Sequence, residues 1–182
     1  GPVVLVGHSY GGAVISEAAA NSPNVKALVF VDAFIPEVGE SASTLNGDGS
    51  IINTLPEDQL FDAVPYPDAP DGTVDLLLKK NVFTQHFASD LPAAQSTQLW
   101  ATQRATSTAA LKTPNTATAW KSMPSWAFIS TGDQIITPGA KHSMAQRAGA
   151  QVTTFDGGSH LTLISHPEAV ASTIQTAAAA VT

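Results

Sequence analysis

The feature that most constrains this chain is its start. Residues Pro2 to Gly7 (PVVLVG) form a continuous run rich in β-branched residues, Gly7-His8-Ser9-Tyr10-Gly11-Gly12 follows at once, and Tyr10 to Ala20 is Ala-rich with Val14, Ile15 and Ala18 at helical spacing. A strand that becomes a helix within so few residues must turn sharply. The turn predicts a strained backbone at Ser9, with Gly7 and Gly11 removing side chains where strand and helix approach. It lifts the Ser9 hydroxyl above the sheet end at a helix N-terminus. There the Tyr10 N–H and the helix dipole favour developing negative charge. A bare G-x-S-x-G pattern carries little information; the strand before it and the helix after it make it informative.

Three more runs read as strands: Val25 to Asp32 (VKALVFVD), Ser125 to Thr131 (SWAFIST) and Gln151 to Phe155 (QVTTF). They alternate little, as strands buried on both faces do. Helical patterns cover residues 138–148, behind Pro138 and stopping at Gly149, and 165–181, where Ser165 and Glu168 have the spacing of a capping box and Pro167 sits in the first turn. Strands alternating with helices predict an α/β fold: a mostly parallel sheet of about four strands flanked by helices, joined by right-handed crossovers. At 182 residues, one domain is expected, with a core of 1–32 and 125–182. Between them, residues 33–124 contain no convincing strand. They hold a Gly/Ser/Asn/Asp loop (39–50), a Pro/Asp loop (65–72) and short helical patterns at 56–64, 73–87, 91–105 and 116–122. A helical lid insertion over the sheet edge is expected, because a structureless loop of that length is rare.

Composition removes several function classes. Hydrophobic residues make up 43% and charged ones 13%, so a packed core is expected. Eight basic against fifteen acidic residues, a net charge of −7, oppose a nucleic-acid surface or an anionic membrane as partner. With no cysteine, thiolate sites and a cysteine nucleophile are excluded. No metal-ligand motif and no dinucleotide or phosphate loop is present, so no cofactor and no metal are expected. No run is long enough to span a bilayer, and no signal-peptide n-region is visible. The compartment stays open, with the cytoplasm the default, and the oligomeric state is unspecified.

A serine hydroxyl needs a base. Of five histidines, His8 should face away from its neighbour Ser9, since successive strand residues point to opposite faces. His86 and His142 sit inside helical patterns, and His166 lies in the capping box. His160, in the loop Gly157-Gly158-Ser159-His160 after the last strand, lies where open α/β sheets place their sites. The acid that would orient it is Asp133, at the end of SWAFISTGD. Asp32, ending the second strand, is the main competitor. Asp156, four residues before His160, reads as a turn cap, and Glu37 opens the insertion. Phe34, Phe83, Phe87 and Trp100 are candidates to line a substrate pocket, with Phe61 and Trp120 nearby. Gln103-Arg104 could approach a substrate, although a solvated helix face is its plain reading.

VVLVGHSYGG, FISTGDQIITP and DGGSH resemble the α/β-hydrolase superfamily. VKALVFVDAFIPEVGES, MAQRAGAQ and GGSHLTLISHPEAVASTI resemble a group of small bacterial serine esterases related to plant methylesterases and hydroxynitrile lyases. The resemblance implies an acyl-enzyme mechanism on a small, fairly apolar ester. Ser9 would be the nucleophile, His160 the base, Asp133 the orienting acid and the Tyr10 N–H an oxyanion donor. Lyase members of the group typically carry lysine after the catalytic histidine, and Leu161 stands there. Ser9 argues against the haloalkane and epoxide hydrolases, which use aspartate. The alternatives are cyanohydrin-lyase chemistry, a ligand-binding receptor that keeps the three residues, and an inactive fragment. Such folds place their first strands and a second oxyanion donor before the nucleophile strand. This chain is therefore expected to be N-terminally truncated, with Val3 to Val6 an exposed apolar edge.

Overall fold

The four apolar runs form one parallel sheet. The structure, a computed structural model, describes residues 1–181. Strand β1 (Val3–His8) leads into helix α1 (Gly11–Ala18), and strand β2 (Val25–Val31) follows. The segment that comes next holds helices α2 (Ile51–Thr54) and α3 (Glu57–Leu60), strands β3 (Phe61–Val64) and β4 (Asp75–Leu78), and helix α4 (Lys80–Val82), which runs into a π-turn at Phe83–Phe87. Helix α5 (Ala93–Ala101), strand β5 (Thr106–Ser107) and helix α6 (Thr108–Lys112) complete it. The chain then returns through strand β6 (Ser125–Ser130), helix α7 (Pro138–Arg147), strand β7 (Gln151–Phe155), and helices α8 (Thr162–Ser165) and α9 (Pro167–Ala180). The sheet order is β1-β2-β6-β7, every neighbouring pair parallel.

The near-absence of alternation in β2 and β6 has a direct cause, which is burial on both faces. Leu28, Phe30, Ala127 and Ile129 pack with Ile15 and Ala19 of α1 and with Met144 and Ala145 of α7. Ala27, Val29, Val31, Trp126 and Phe128 pack on the other face with Val170 and Ala177 of α9. At the sheet edge, Val3 and Val6 of β1 are 41% and 42% exposed.

Two local expectations are corrected. The segment between β2 and β6 is not helical throughout, because β3, β4 and β5 form an antiparallel sheet with Phe61 opposite Leu78 and Leu76 opposite Thr106. Stretches 56–64 and 73–87 each begin or end as helix but contain a strand, and within 116–122 only a turn at Ala119–Lys121 forms. The capping box does not form either. Ser165 Oγ donates to Asp90 Oδ2 at 2.5 Å, and α9 begins at Pro167 with no side-chain cap. No helix among the described residues is long and apolar enough to cross a membrane.

Candidate active site

Ser9 sits between β1 and α1 with φ 55°, a left-handed conformation that a side-chain-bearing residue holds only when its surroundings impose it. The surroundings do so through hydrogen bonds. Ser9 N donates to Val31 O at 3.3 Å, and Ser9 O accepts from Phe34 N at 3.2 Å and Gly12 N at 3.0 Å. Two glycines permit this packing, and one of them differs from expectation. A Cβ on Gly7 would lie 2.5 Å from Gly11 O, and one on Gly12 would lie 2.1 Å from Phe34 O, whereas a Cβ on Gly11 would meet nothing within 4 Å. The close approach that matters is therefore α1 against the strand-end loop at Phe34, made possible by Gly12. The Tyr10 N–H, at the start of α1, meets no acceptor among the described residues.

The structure brings Ser9, His160 and Asp133 together. His160 Nε2 is 2.8 Å from Ser9 Oγ, and His160 Nδ1 is 2.9 Å from Asp133 Oδ2. His160 is fully buried and Asp133 nearly so. With Nδ1–H donating to the carboxylate, Nε2 is free to accept the serine proton. Asp133 Oδ1 accepts from the amides of Ile135 (2.8 Å) and Ile136 (3.2 Å), so both carboxylate oxygens are engaged. Burial pushes the Asp133 carboxyl up, but His160 and Lys141 outweigh it and hold the group well below the usual carboxylate range.

Lys141 is the residue that sequence reasoning missed. It lies on α7 with its side chain 2% exposed. Its ammonium donates to Asp133 Oδ2 at 2.7 Å, to Asp32 Oδ1 at 2.5 Å and to Ser130 O at 3.2 Å. Asp32, the competing acid, is thereby accounted for. It is fully buried at φ 42°, accepts from Ser130 N and Ser130 Oγ, and meets Lys141 rather than His160. The only sequence hint was α7's inward face, where positions 141, 144 and 145 share the buried stripe.

The other candidates fall elsewhere. His8 does not face away as expected. Its Nε2–H donates to His160 O at 2.7 Å, and its ring lies 4.8 Å from that of His160. Burial, with His160 beside it, lowers its pKa from 6.5 to about 3, so His8 is a neutral prop under the base. His86 Nδ1–H donates to Gln134 Oε1 at 2.7 Å, His142 is exposed, and the ring of His166 packs on Phe155. Asp156 accepts from Thr131 Oγ1, and Glu37 pairs with Lys121.

A pocket of about 670 Å³ opens over Ser9. Phe34, Phe83 and Phe87 line it, and Phe87 also meets the His160 ring edge-on at 4.8 Å. Trp100 does not line it, which corrects that expectation. Its indole N–H donates to Leu78 O, and Lys80 lies over its ring. Most of the remaining wall comes from the segment between β2 and β6, including Leu60, Leu76, Leu78 and Leu111, while Leu161 follows the histidine. No group of three or more histidine and carboxylate side chains is placed to hold a metal ion among the described residues.

A family profile described as the alpha/beta hydrolase family matches residues 1–173. A carbendazim hydrolyzing esterase from Nocardioides sp. (strain SG-4G) is 52% identical over 44 residues, a match covering 24% of this chain and 18% of that relative. Among solved structures, a pyrethroid hydrolase from Sphingobium faniae JZ-2 superposes with a TM-score of 0.76 at 23% identity, covering 97% of this chain and 70% of its own. A methylesterase from Arabidopsis gives a TM-score of 0.76 at 17% identity, covering 98% and 70%.

Proposed function

The chain belongs to the alpha/beta hydrolase family, and we propose that it is a serine hydrolase cleaving a small, largely apolar carboxylic ester through an acyl-enzyme. One observation carries this reading, the unbroken line of hydrogen bonds from Ser9 Oγ through both nitrogens of His160 to Asp133 Oδ2. Ser9 Oγ attacks the ester carbonyl while His160 Nε2 takes its proton. Asp133 holds the tautomer and stabilises the imidazolium. The Tyr10 N–H, without an acceptor of its own, donates to the oxyanion. The imidazolium returns its proton to the departing alkoxide and leaves Ser9 acylated. Water, deprotonated by the same nitrogen, then releases the acid and regenerates Ser9. The segment between β2 and β6 serves as a lid, excluding water from the intermediate.

The esterase names of the sequence relative and the methylesterase neighbour support this choice. Leu161, on the pocket wall, stands where lyase members of the resembling group typically carry lysine, which counts against cyanohydrin chemistry. The test is the intact mass after treatment with a fluorophosphonate probe. A single adduct is expected on the 182-residue chain and none on Ser9→Ala, whose ester turnover should fall by about 10⁴-fold or more. Adduct formation that persists in Ser9→Ala would sink the assignment.

A further inference from the structure

The eight lysines and arginines of this chain divide unevenly. Lys79, Lys121, Lys141 and Arg147 are ion-paired, Lys26 donates to Pro23 O, and Lys80 lies over Trp100. Among the described residues, Arg104 and Lys112 alone have no partner, and both line the pocket above Ser9. In a chain of net charge −7 with carboxylates in excess, two unpaired cations in the lining of one pocket form a local exception. The only acidic side chain of the lining, Glu57, makes no ion pair with either of them.

Both cations sit on anchored backbone. Gln103 clamps Leu78 twice, its Oε1 accepting from Leu78 N at 2.9 Å and its Nε2 donating to Leu78 O at 3.0 Å, which fixes the chain beside Arg104. Thr106 pairs with Leu76 just beyond. Lys112 ends α6, whose start is capped by Ser107 and whose Ala110 carbonyl accepts from the Tyr10 hydroxyl at 3.2 Å. Each cation thus has an anchored root and a solvent-exposed charge on an otherwise mainly apolar pocket lining.

We propose that Arg104 and Lys112 form a subsite for a carboxylate carried on the part of the ester remote from the scissile bond, so that half-esters of dicarboxylic acids are the preferred substrate class. The proposal rests on the esterase reading for placing the ester carbonyl at Ser9. The aliphatic walls take the spacer, and the cations take the distal anion.

The test is calorimetric titration of Ser9→Ala, which binds without turnover, with monomethyl adipate and with dimethyl adipate. The monoanion is expected to bind roughly tenfold more tightly, less so at high salt. Adding Arg104→Gln and Lys112→Gln together should abolish the preference. Adding Lys26→Gln and Lys121→Gln together, which removes the same two charges outside the pocket lining, should leave it. Equal binding, no binding of the monoanion, or a preference that survives the paired substitution overturns the proposal. Turnover of dimethyl adipate by the unaltered chain reports on ester hydrolysis separately. If that turnover fails while charge-selective binding persists, the subsite stands and the esterase reading does not.

Discussion

At the scale of single residues, the site is held by charges that do not touch substrate. Lys141 is the lysine that pairs with both buried carboxylates, Asp32 and Asp133. Lys141→Met should leave both without a counter-ion and cost about 3–5 kcal/mol of stability. Denaturant unfolding checks this, and a loss under about 1 kcal/mol would contradict it. Combining it with Asp32→Asn, which removes one of the stranded charges, should recover part of the loss. His8 makes a second, pH-dependent prediction. Its folded pKa of about 3 lies below its ordinary 6.5, so between those values the unfolded chain binds the extra proton. The stabilisation from keeping His8 neutral is complete above pH 6.5 and is lost as pH falls, at up to about 1.4 kcal/mol per pH unit. Down to about pH 4.5 the carboxylates with lowered pKa values, Asp133 among them, add little, since their losses begin near their ordinary values. His8→Gln, which keeps a donor for His160 O, should flatten the stability profile between pH 6.5 and 4.5. An unchanged slope in unfolding measured across that range would refute the role.

At the scale of elements, the strand-turn-helix at Ser9 was legible because glycine, a β-branched run and an Ala-rich helix are local signals. The identity of the critical glycine was not legible, because it depends on how close α1 comes to Phe34. Gly12→Ala forces Cβ against Phe34 O and should cost about 2 kcal/mol or more. Gly11→Ala, with open space around its Cβ and a helical position, should stabilise by up to about 1 kcal/mol. Thermal melts of the two variants should therefore move in opposite directions. Both changes lowering stability equally would show that the turn, rather than the packing, sets the requirement. Strands β3 to β5 escaped the sequence for a related reason. Leu76-Leu77-Leu78 is too short a run to separate strand from helix, and its pairing with Phe61 and Thr106 is decided by contacts distant in sequence. Lys141 escaped because a lysine on an amphipathic helix ordinarily marks the solvent side, and its two buried partners come from the ends of β2 and β6. Ser165 had the right spacing for a cap, but Asp90 from the other half of the chain took its hydroxyl.

At the scale of the whole molecule, the parallel sheet and the segment above it are one mechanical object. Glu17 of α1 accepts hydrogen bonds from Thr116 and Ala117, Asn115 Nδ2 donates to Ala13 O, and Ser50 Oγ donates to Ile135 O beside Asp133. His86 reaches Gln134 in that same loop. The hydrogen bond from Tyr10 to α6 has a further consequence. The Tyr10 hydroxyl donates to Ala110 O of α6, while its own amide, next to Ser9 in the chain, is the proposed oxyanion donor. Lifting α6 to admit a bulky ester tugs on the residue that must stay still for chemistry. Entry and reaction therefore make opposing demands on one residue. Ester size should be felt as lost rate even where the pocket has room, a throttle on throughput rather than a limit on fit.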